Sequence, residues 1–445
     1  MIKPISSFIS VRQTVLNLLL LGSLASTATQ ATEPFELTIH GSNTLGAKLI
    51  PECAKAFLAH KGVDNPGINI TAENEFMVKG LDHLPRIAIA AHGSSTGFRS
   101  LAAGKTDIGM SSRPIKGKEV AKLDFLGNML SRDSEHPVAV DGLAILVHQN
   151  NAIDSLNTDQ IAQIFSGEIR NWNQLGGPDA EINLHARDNN SGTWDTFKNL
   201  VLRKVYKLHD SAKRYESNDD LSDAVAADPA AIGFSGLASV RNSKALAVSY
   251  KGTEPVAAGR LTVATEDYPL TRRLYLYTAE QHSEIVNEFI HFCQSNQGQD
   301  IVKTVGYISQ NIIAVEQTTP DSAPQKYREL AQTGQRLSVN FRFNEGSAKL
   351  DNKAFWDVGR LTRFMQLPEN LDRKLVLVGF NDAANGSQRS AVLSKLRATA
   401  VRSQLFRQGT HVSETLGLGD YMPVAASGSS LAKAKNGRVE VWLTN

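Results

Sequence analysis

The sequence predicts an α/β protein that ends in a second, smaller domain. Three observations predict it. Over residues 35–315, strand-like and helix-like stretches alternate, and a turn rich in Ser, Gly and Thr joins them three times. Residues 316–325 are polar, carry Pro320 and Pro324, and show no apolar period, which suits a linker. Beyond them, 337–343 alternates apolar and polar residues as a strand does, and about 110 residues remain, enough for one small domain.

Composition narrows the function classes. The chain has 445 residues, 41% hydrophobic and 21% charged, values close to those of an average globular protein. A net charge of +2 argues against a nucleic-acid partner, which calls for a marked basic excess. Two cysteines make neither a disulfide scaffold nor a Cys₄ zinc site. No metal or other cofactor is expected.

The first 31 residues read as an export signal. They carry Lys3 and Arg12, no acid, and an apolar run over 15–25 that is too short to span a bilayer. Cleavage after Ala31 would leave 45 basic against 45 acidic residues, a neutral chain in a compartment that permits disulfides. The expected division is 1–31 signal peptide, 32–316 binding domain, 317–335 linker and 336–445 C-terminal domain.

The three turns follow one scheme. Strand 35–39 leads to Gly41-Ser42-Asn43-Thr44 and a helix with Leu45, Leu49, Cys53 and Phe57 at fourfold spacing. Strand 87–90 leads to Gly93-Ser94-Ser95-Thr96-Gly97 and a helix with Phe98 and Leu101. Strand 182–185 leads to Arg187-Asp188-Asn189-Asn190-Ser191-Gly192-Thr193 and a helix with Trp194, Phe197, Leu200 and Val201. A helix start presents unpaired N–H groups and the positive end of the dipole. Glycine lets backbone approach a ligand, and hydroxyls add donors, so such turns suit an oxyanion. One alone is an ordinary cap. Three, with Arg187 able to bond an anion in paired fashion, point to an anion site.

Other motifs fail on spacing. Gly41 to Lys48 is no P-loop, because Ala47 separates the second glycine from the lysine. Gly233-Phe234-Ser235-Gly236-Leu237 lacks the last glycine of a nucleophile elbow. Eleven histidines include no HExxH pair. With no nucleophile–base pair or metal cluster at a known spacing, the chain is expected not to be an enzyme. Cys53 and Cys293 are either buried small hydrophobes or a disulfide.

Residues 35–315 resemble the periplasmic phosphate-binding proteins of ABC transporters. The resemblance rests on the three turns and on Thr106-Asp107-Ile108-Gly109-Met110-Ser111-Ser112-Arg113, Ile164 to Trp172, Ala231 to Leu237, and Tyr268-Pro269-Leu270-Thr271-Arg272. It implies two α/β lobes that close on one ligand in the manner of a Venus flytrap, with an ABC permease as a further partner. It also implies phosphate contacts at Thr44 and Leu45 (by backbone), Ser94, Arg187, Ser191, Gly192 and Thr193; Ser42, Ser95, Ser112, Arg113 and Asp188 complete the expected site. Ser112 stands where the family often has an Asp that accepts the proton of hydrogen phosphate. Asp188 is one substitute acceptor, and Arg113 a source of positive charge.

In the C-terminal domain, a strand at 375–380 ends at Asn381-Asp382, and the helix from about Ser387 to Gln408 carries Arg397. An Asp and an Arg so placed either hold a zwitterion or form a plain salt bridge. Residues 337–445 resemble the OmpA-like peptidoglycan-binding domain, a small α+β fold, through Phe341-Arg342-Phe343-Asn344, Gly379-Phe380-Asn381-Asp382, 393–398, 417–420 and 436–440. The resemblance implies that Asp382 and Arg397 grip the diaminopimelate of the peptidoglycan peptide stem. Ser390 and Gly386 depart from the family's Asn and its Gly after the Asp.

The expected function is an exported phosphate-binding protein of the periplasm, tethered non-covalently to peptidoglycan near the outer membrane. The alternative is a wall-anchored adhesion or structural protein whose first domain binds another partner.

Overall fold

The fold comes from a computed structural model of the chain, which describes residues 35–445 apart from 83, 190, 344–346, 383–386 and 426–434. The expected signal peptide, Asn344 and Gly386 lie outside the described residues.

Two lobes share one continuous sheet. In the first lobe, strand Glu36–Gly41 lies between parallel neighbours Arg86–Ala90 and Ile108–Ser111. Its alternate residues Leu37 and Ile39 point into a core with Phe57 and Phe289. Strand Glu135–Val147 then carries the sheet across. Its first part pairs antiparallel with Thr271–Tyr277, and its last part pairs with Ile232–Gly236 of the second lobe. There the core closes around Phe165, Phe197 and Phe234, the last two stacked at 4.0 Å between centroids.

Two helices differ from expectation. The first, expected as one run, is a short turn Asn43–Gly46 followed by helix Leu49–His60. Pro51 explains the break. In one long helix it would lack the N–H that bonds Ala47, whereas in a first turn that donor has no helical partner anyway. The third turn opens helix Gly192–Phe197, which widens into a π-helical turn Lys198–Leu202 and so buries both Val201 and Leu202.

The C-terminal domain is a five-stranded sheet in the order Ala314–Val315, Gln335–Arg342, Arg438–Thr444, Lys374–Gly379, Glu414–Gly417. Helices Asn352–Met365 and Ser387–Arg407 cover one face, where Leu375, Leu377, Val439 and Val441 point. Residues 317–335 were expected as a linker and are not only that. Helix Gln325–Thr333 lies within them and covers the opposite face, where Tyr327 and Leu330 meet Val376, Val378 and Trp442. Period-2 strands expose a second apolar face that water would otherwise meet, and this helix removes it. Ala314–Val315, assigned by sequence to the binding domain, pairs with Gln335–Arg342 instead.

The two domains touch through polar groups. Asp267 of the second lobe receives Asn340 at 2.9 Å, Arg342 at 3.1 Å and Arg336 at 3.3 Å. Burial would raise its carboxyl, but the guanidiniums of Arg438, Arg336 and Arg342 hold it below the usual range. On the first lobe, Asn352 bonds Leu130 and Glu135, and Arg132 lies over the Phe355 ring at 4.4 Å. Cys53 and Cys293 are free thiols buried in the core of the first lobe.

Candidate functional site

The first and third turns meet across the lobes. Gly41 holds φ of +142°, and a Cβ there would stand 2.2 Å from the Met110 carbonyl oxygen, so only glycine lets the strand end pass its neighbour. Ser42 then donates its N–H to that oxygen at 3.0 Å and starts the turn. Its hydroxyl is buried without a partner among the described residues, and the Leu45 side chain packs into the core, so neither side chain faces the cleft. Thr44 reaches across. A Cβ on Gly192 would lie 2.1 Å from its hydroxyl, so glycine at 192 leaves the room that the Thr44 side chain occupies.

Thr44, Arg187, Asp188, Ser191, Gly192 and Thr193 line one cleft of about 540 Å³ between the lobes. Ser191 is spent as a helix cap: its oxygen accepts from the N–H of Thr193 at 3.2 Å and of Trp194 at 3.3 Å. Arg187 is fixed by the Tyr215 and Glu216 carbonyls and by Asn218. Burial pulls its guanidinium below the ordinary value, a cost that a bound anion would offset.

Ser94 and Ser112 open on an adjoining cavity of about 300 Å³. The Ser94 hydroxyl accepts the Ser112 N–H at 3.1 Å, which draws the second turn to the end of strand Ile108–Ser111. Arg113 also lines this cavity, but it does not add free charge as expected. Its guanidinium meets both oxygens of Glu119 at 2.7 and 2.8 Å and donates to Ser95 at 3.0 Å. Burial raises the Glu119 carboxyl, yet the hydrogen bonds from Arg113 and the Lys116 backbone bring it below its usual value. The charge of Arg113 and the hydroxyl of Ser95 are thus used within the first lobe.

Among the cleft residues not expected from the sequence, Arg272, Asp141 and Tyr307 form one hydrogen-bonded group with Thr44. Arg272 lines both cavities. Its Nε and Nη2 lie 2.9 and 2.7 Å from one Asp141 oxygen, Nη1 donates to the Gly192 carbonyl at 2.6 Å, and Nη2 is 3.4 Å from the Thr44 hydroxyl. Tyr307 donates to the Thr44 carbonyl at 2.6 Å. The signal for Asp141 was present: it is the one acid within the apolar strand run 137–147, and a buried lone charge demands a partner.

In the C-terminal domain, Asp382 and Arg397 are 1% and 5% exposed. An asparagine holds each: Asn436 donates to Asp382 at 3.0 Å, and Arg397 donates to Asn381 at 2.7 Å. Arg397 also lies 5.2 Å over the Phe343 ring, and its Nε is buried with no hydrogen-bond partner among the described residues. Burial lowers its pKa. Ser390, in place of the family's Asn, donates to the Asp382 carbonyl at 2.8 Å and so steadies the strand end. Asn381 and Asn436 were quoted in the sequence reading without a role.

Known proteins resemble both parts. Residues 60–297 match the PBP superfamily domain, and residues 342–437 match the OmpA family. The phosphate-binding protein PstS of Bacillus subtilis is 30% identical over 240 residues, which span 54% of this chain and 75% of that protein. PstS of Borreliella burgdorferi is 29% identical over 230 residues, 50% of this chain and 79% of that protein. A solved ABC-type phosphate transport receptor from Vibrio cholerae overlays 61% of this chain and 99% of its own at 25% identity, with a TM-score of 0.48. The chain belongs to the PBP superfamily, among the phosphate-binding PstS proteins, and carries an OmpA family domain after it.

Proposed function

We propose that the chain captures phosphate between its two lobes by hinge closure and is held on peptidoglycan by its C-terminal domain. The observation that carries the phosphate reading is the Arg272–Asp141 pair. Nε and Nη2 of Arg272 both donate to the same Asp141 oxygen, Oδ2. The other, Oδ1, has no donor among the described residues, and Asp141 lines the cleft together with the cations Lys48, Arg187 and Arg272. Protonated phosphate brings one O–H that needs an acceptor, and sulfate brings none. Asp141 supplies a carboxylate acceptor, which takes part only as an acceptor, whereas the Ser112 hydroxyl both donates and accepts, and Asp188 pairs with Arg187 at 3.8 Å. An unpaired polar group costs about 1–3 kcal/mol, enough to select between the two anions.

This reading makes the chain a binding protein rather than an enzyme, exported to the periplasm, with an ABC permease as the receiver of its ligand. No described helix is long and apolar enough to cross a membrane. The adhesion reading rested on Ser112 in the family's acceptor position; with Asp141 as the acceptor, the phosphate reading does not depend on that position. Calorimetry of the full chain with phosphate, sulfate and arsenate tests the proposal: tight binding of phosphate and arsenate with weak sulfate binding is expected. Absence of heat with every oxyanion would sink it.

A further inference from the structure

A second, larger cavity lies between the two domains. It encloses about 1150 Å³ and belongs to neither site described above. One wall is the first lobe, through helices Leu49–His60 and Glu284–Gln294, and the other is helix Asn352–Met365 with Gln408. We propose that this cavity is a saccharide site, selective for an acidic amino sugar, that extends the peptidoglycan contact of the C-terminal domain.

The lining carries the argument. Trp356 stands in it with the His291 ring edge-on at 5.9 Å between centroids, an aromatic surface on which the C–H face of a pyranose can rest. The Trp356 indole N–H is shielded from solvent and has no hydrogen-bond partner among the described residues. Buried donors are normally paired, so this one marks the place of a missing acceptor such as an acetamido or hydroxyl oxygen. Arg360 is 7% exposed; its Nη1 bonds Asp357 at 2.7 Å while its Nε is buried with no partner. One turn on, Arg363 is exposed on the same wall. Asp357 is shared by Arg360 and Lys353, and Glu288 of the facing wall pairs with Lys61, so Arg363 leaves a positive field suited to a carboxylate. Asn287 from the first lobe and Gln408 from the second domain add amides, which donate and accept as sugar hydroxyls require. A lipid or an apolar helix would meet too many amides and charges here, and a small inorganic anion would fill little of the volume.

Position supports the same ligand. Gln408 comes eleven residues after Arg397, at the end of the same helix. At 1.5 Å per residue the cavity begins about 16 Å along the axis from the Arg397 side chain. A glycan strand whose peptide stem is held at Asp382 and Arg397 passes within reach of it. This last point rests on the peptidoglycan reading above, whereas the cavity chemistry does not.

The test uses the full chain and the peptide-free disaccharide of N-acetylglucosamine and N-acetylmuramic acid, with its lactyl carboxylate free. Of the four tryptophans, Trp172, Trp194 and Trp442 are buried, so Trp356 dominates any change in intrinsic fluorescence on titration. Saturable binding is expected by fluorescence and calorimetry. Trp356→Phe keeps the ring and removes one neutral hydrogen bond, so the affinity should drop about fivefold and the fluorescence change should vanish. Arg363→Ala, at an exposed position, should also weaken binding about fivefold or more. Both variants should bind phosphate and unfold as the parent does. In a parallel titration, meso-diaminopimelate reports the grip: it should be unaffected by Trp356→Phe and lost in Arg397→Ala. If diaminopimelate fails to bind while the disaccharide binds, the grip reading falls and the cavity assignment stands. No saturable response to the disaccharide, or equal affinity in parent and both variants, overturns the proposal.

Discussion

Arg272 grips a single oxygen of Asp141, at 2.9 Å from Nε and 2.7 Å from Nη2, with both side chains 7% exposed. The same guanidinium reaches the Gly192 carbonyl of the second lobe and the Thr44 hydroxyl of the first. One cation thus ties both lobes to an acid placed beside the ligand cleft. Removing one partner of a buried pair is costly, because the other charge stays behind without compensation.

Asp141→Asn should lower phosphate affinity about tenfold or more and narrow the preference over sulfate by a similar factor. The substitution turns the free acceptor toward a donor, which suits sulfate and not hydrogen phosphate. Calorimetric titrations with both anions check it. An unchanged preference would remove Asp141 from anion selection.

Gly192→Ala tests the approach of the lobes. Its new Cβ would collide with the Thr44 hydroxyl, at 2.1 Å, while each lobe keeps its own core. Phosphate affinity should fall about tenfold or more, with the thermal midpoint nearly unchanged. Scattering of the full chain with saturating phosphate should show a less compact form than the parent.

For the C-terminal domain, pull-down on purified sacculi provides the readout. Asp382→Ala and Arg397→Ala should each lose most retention, and Asn381→Ala should lose part of it, since Asn381 only positions Arg397 through a 2.7 Å bond. Equal retention of parent and variants would show that the peptidoglycan contact lies elsewhere.

Acid stability offers a fourth test. Burial alone would raise the Glu266 carboxyl, but Arg273 and Lys353 outweigh it and bring it to about 2. A folded value below the ordinary 4.5 means that this contribution is complete above pH 4.5 and is lost as pH falls toward 2. Its size is on the order of 3 kcal/mol. In Glu266→Gln, urea unfolding should show lower stability at pH 7 and a shallower fall between pH 5 and pH 2.5. A parent-like acid slope would refute the assignment.

Much of the site was legible because its chemistry is local. A strand, a turn of Ser, Gly and Thr, and an amphipathic helix lie within some twenty residues of sequence, and backbone geometry places helix-start donors at the strand end. That pattern marked the turns that carry Thr44, Arg187, Gly192 and Thr193 as places for an anion, while the single contacts there, like Asp382 at a strand end and Arg397 in the middle of its helix, came from the family resemblances. Asp141 and Arg272 lie 131 residues apart. Each looked like an isolated charge, and only the antiparallel register of their strands sets them side by side. Arg113 and Glu119 are only six residues apart, but no regular spacing pairs them, and it is the bend between strand Ile108–Ser111 and the next short helix that brings the two side chains together. The helix Gln325–Thr333 was read as linker because it has few apolar residues to make a period visible. It is needed because the C-terminal sheet has two apolar faces, and the sequence by itself counts residues along a strand without saying what covers the second face. The sequence therefore determined which turns carry donors and which elements form. The tertiary structure decided which charges remain free to meet a ligand, because that depends on partners chosen across the chain by packing.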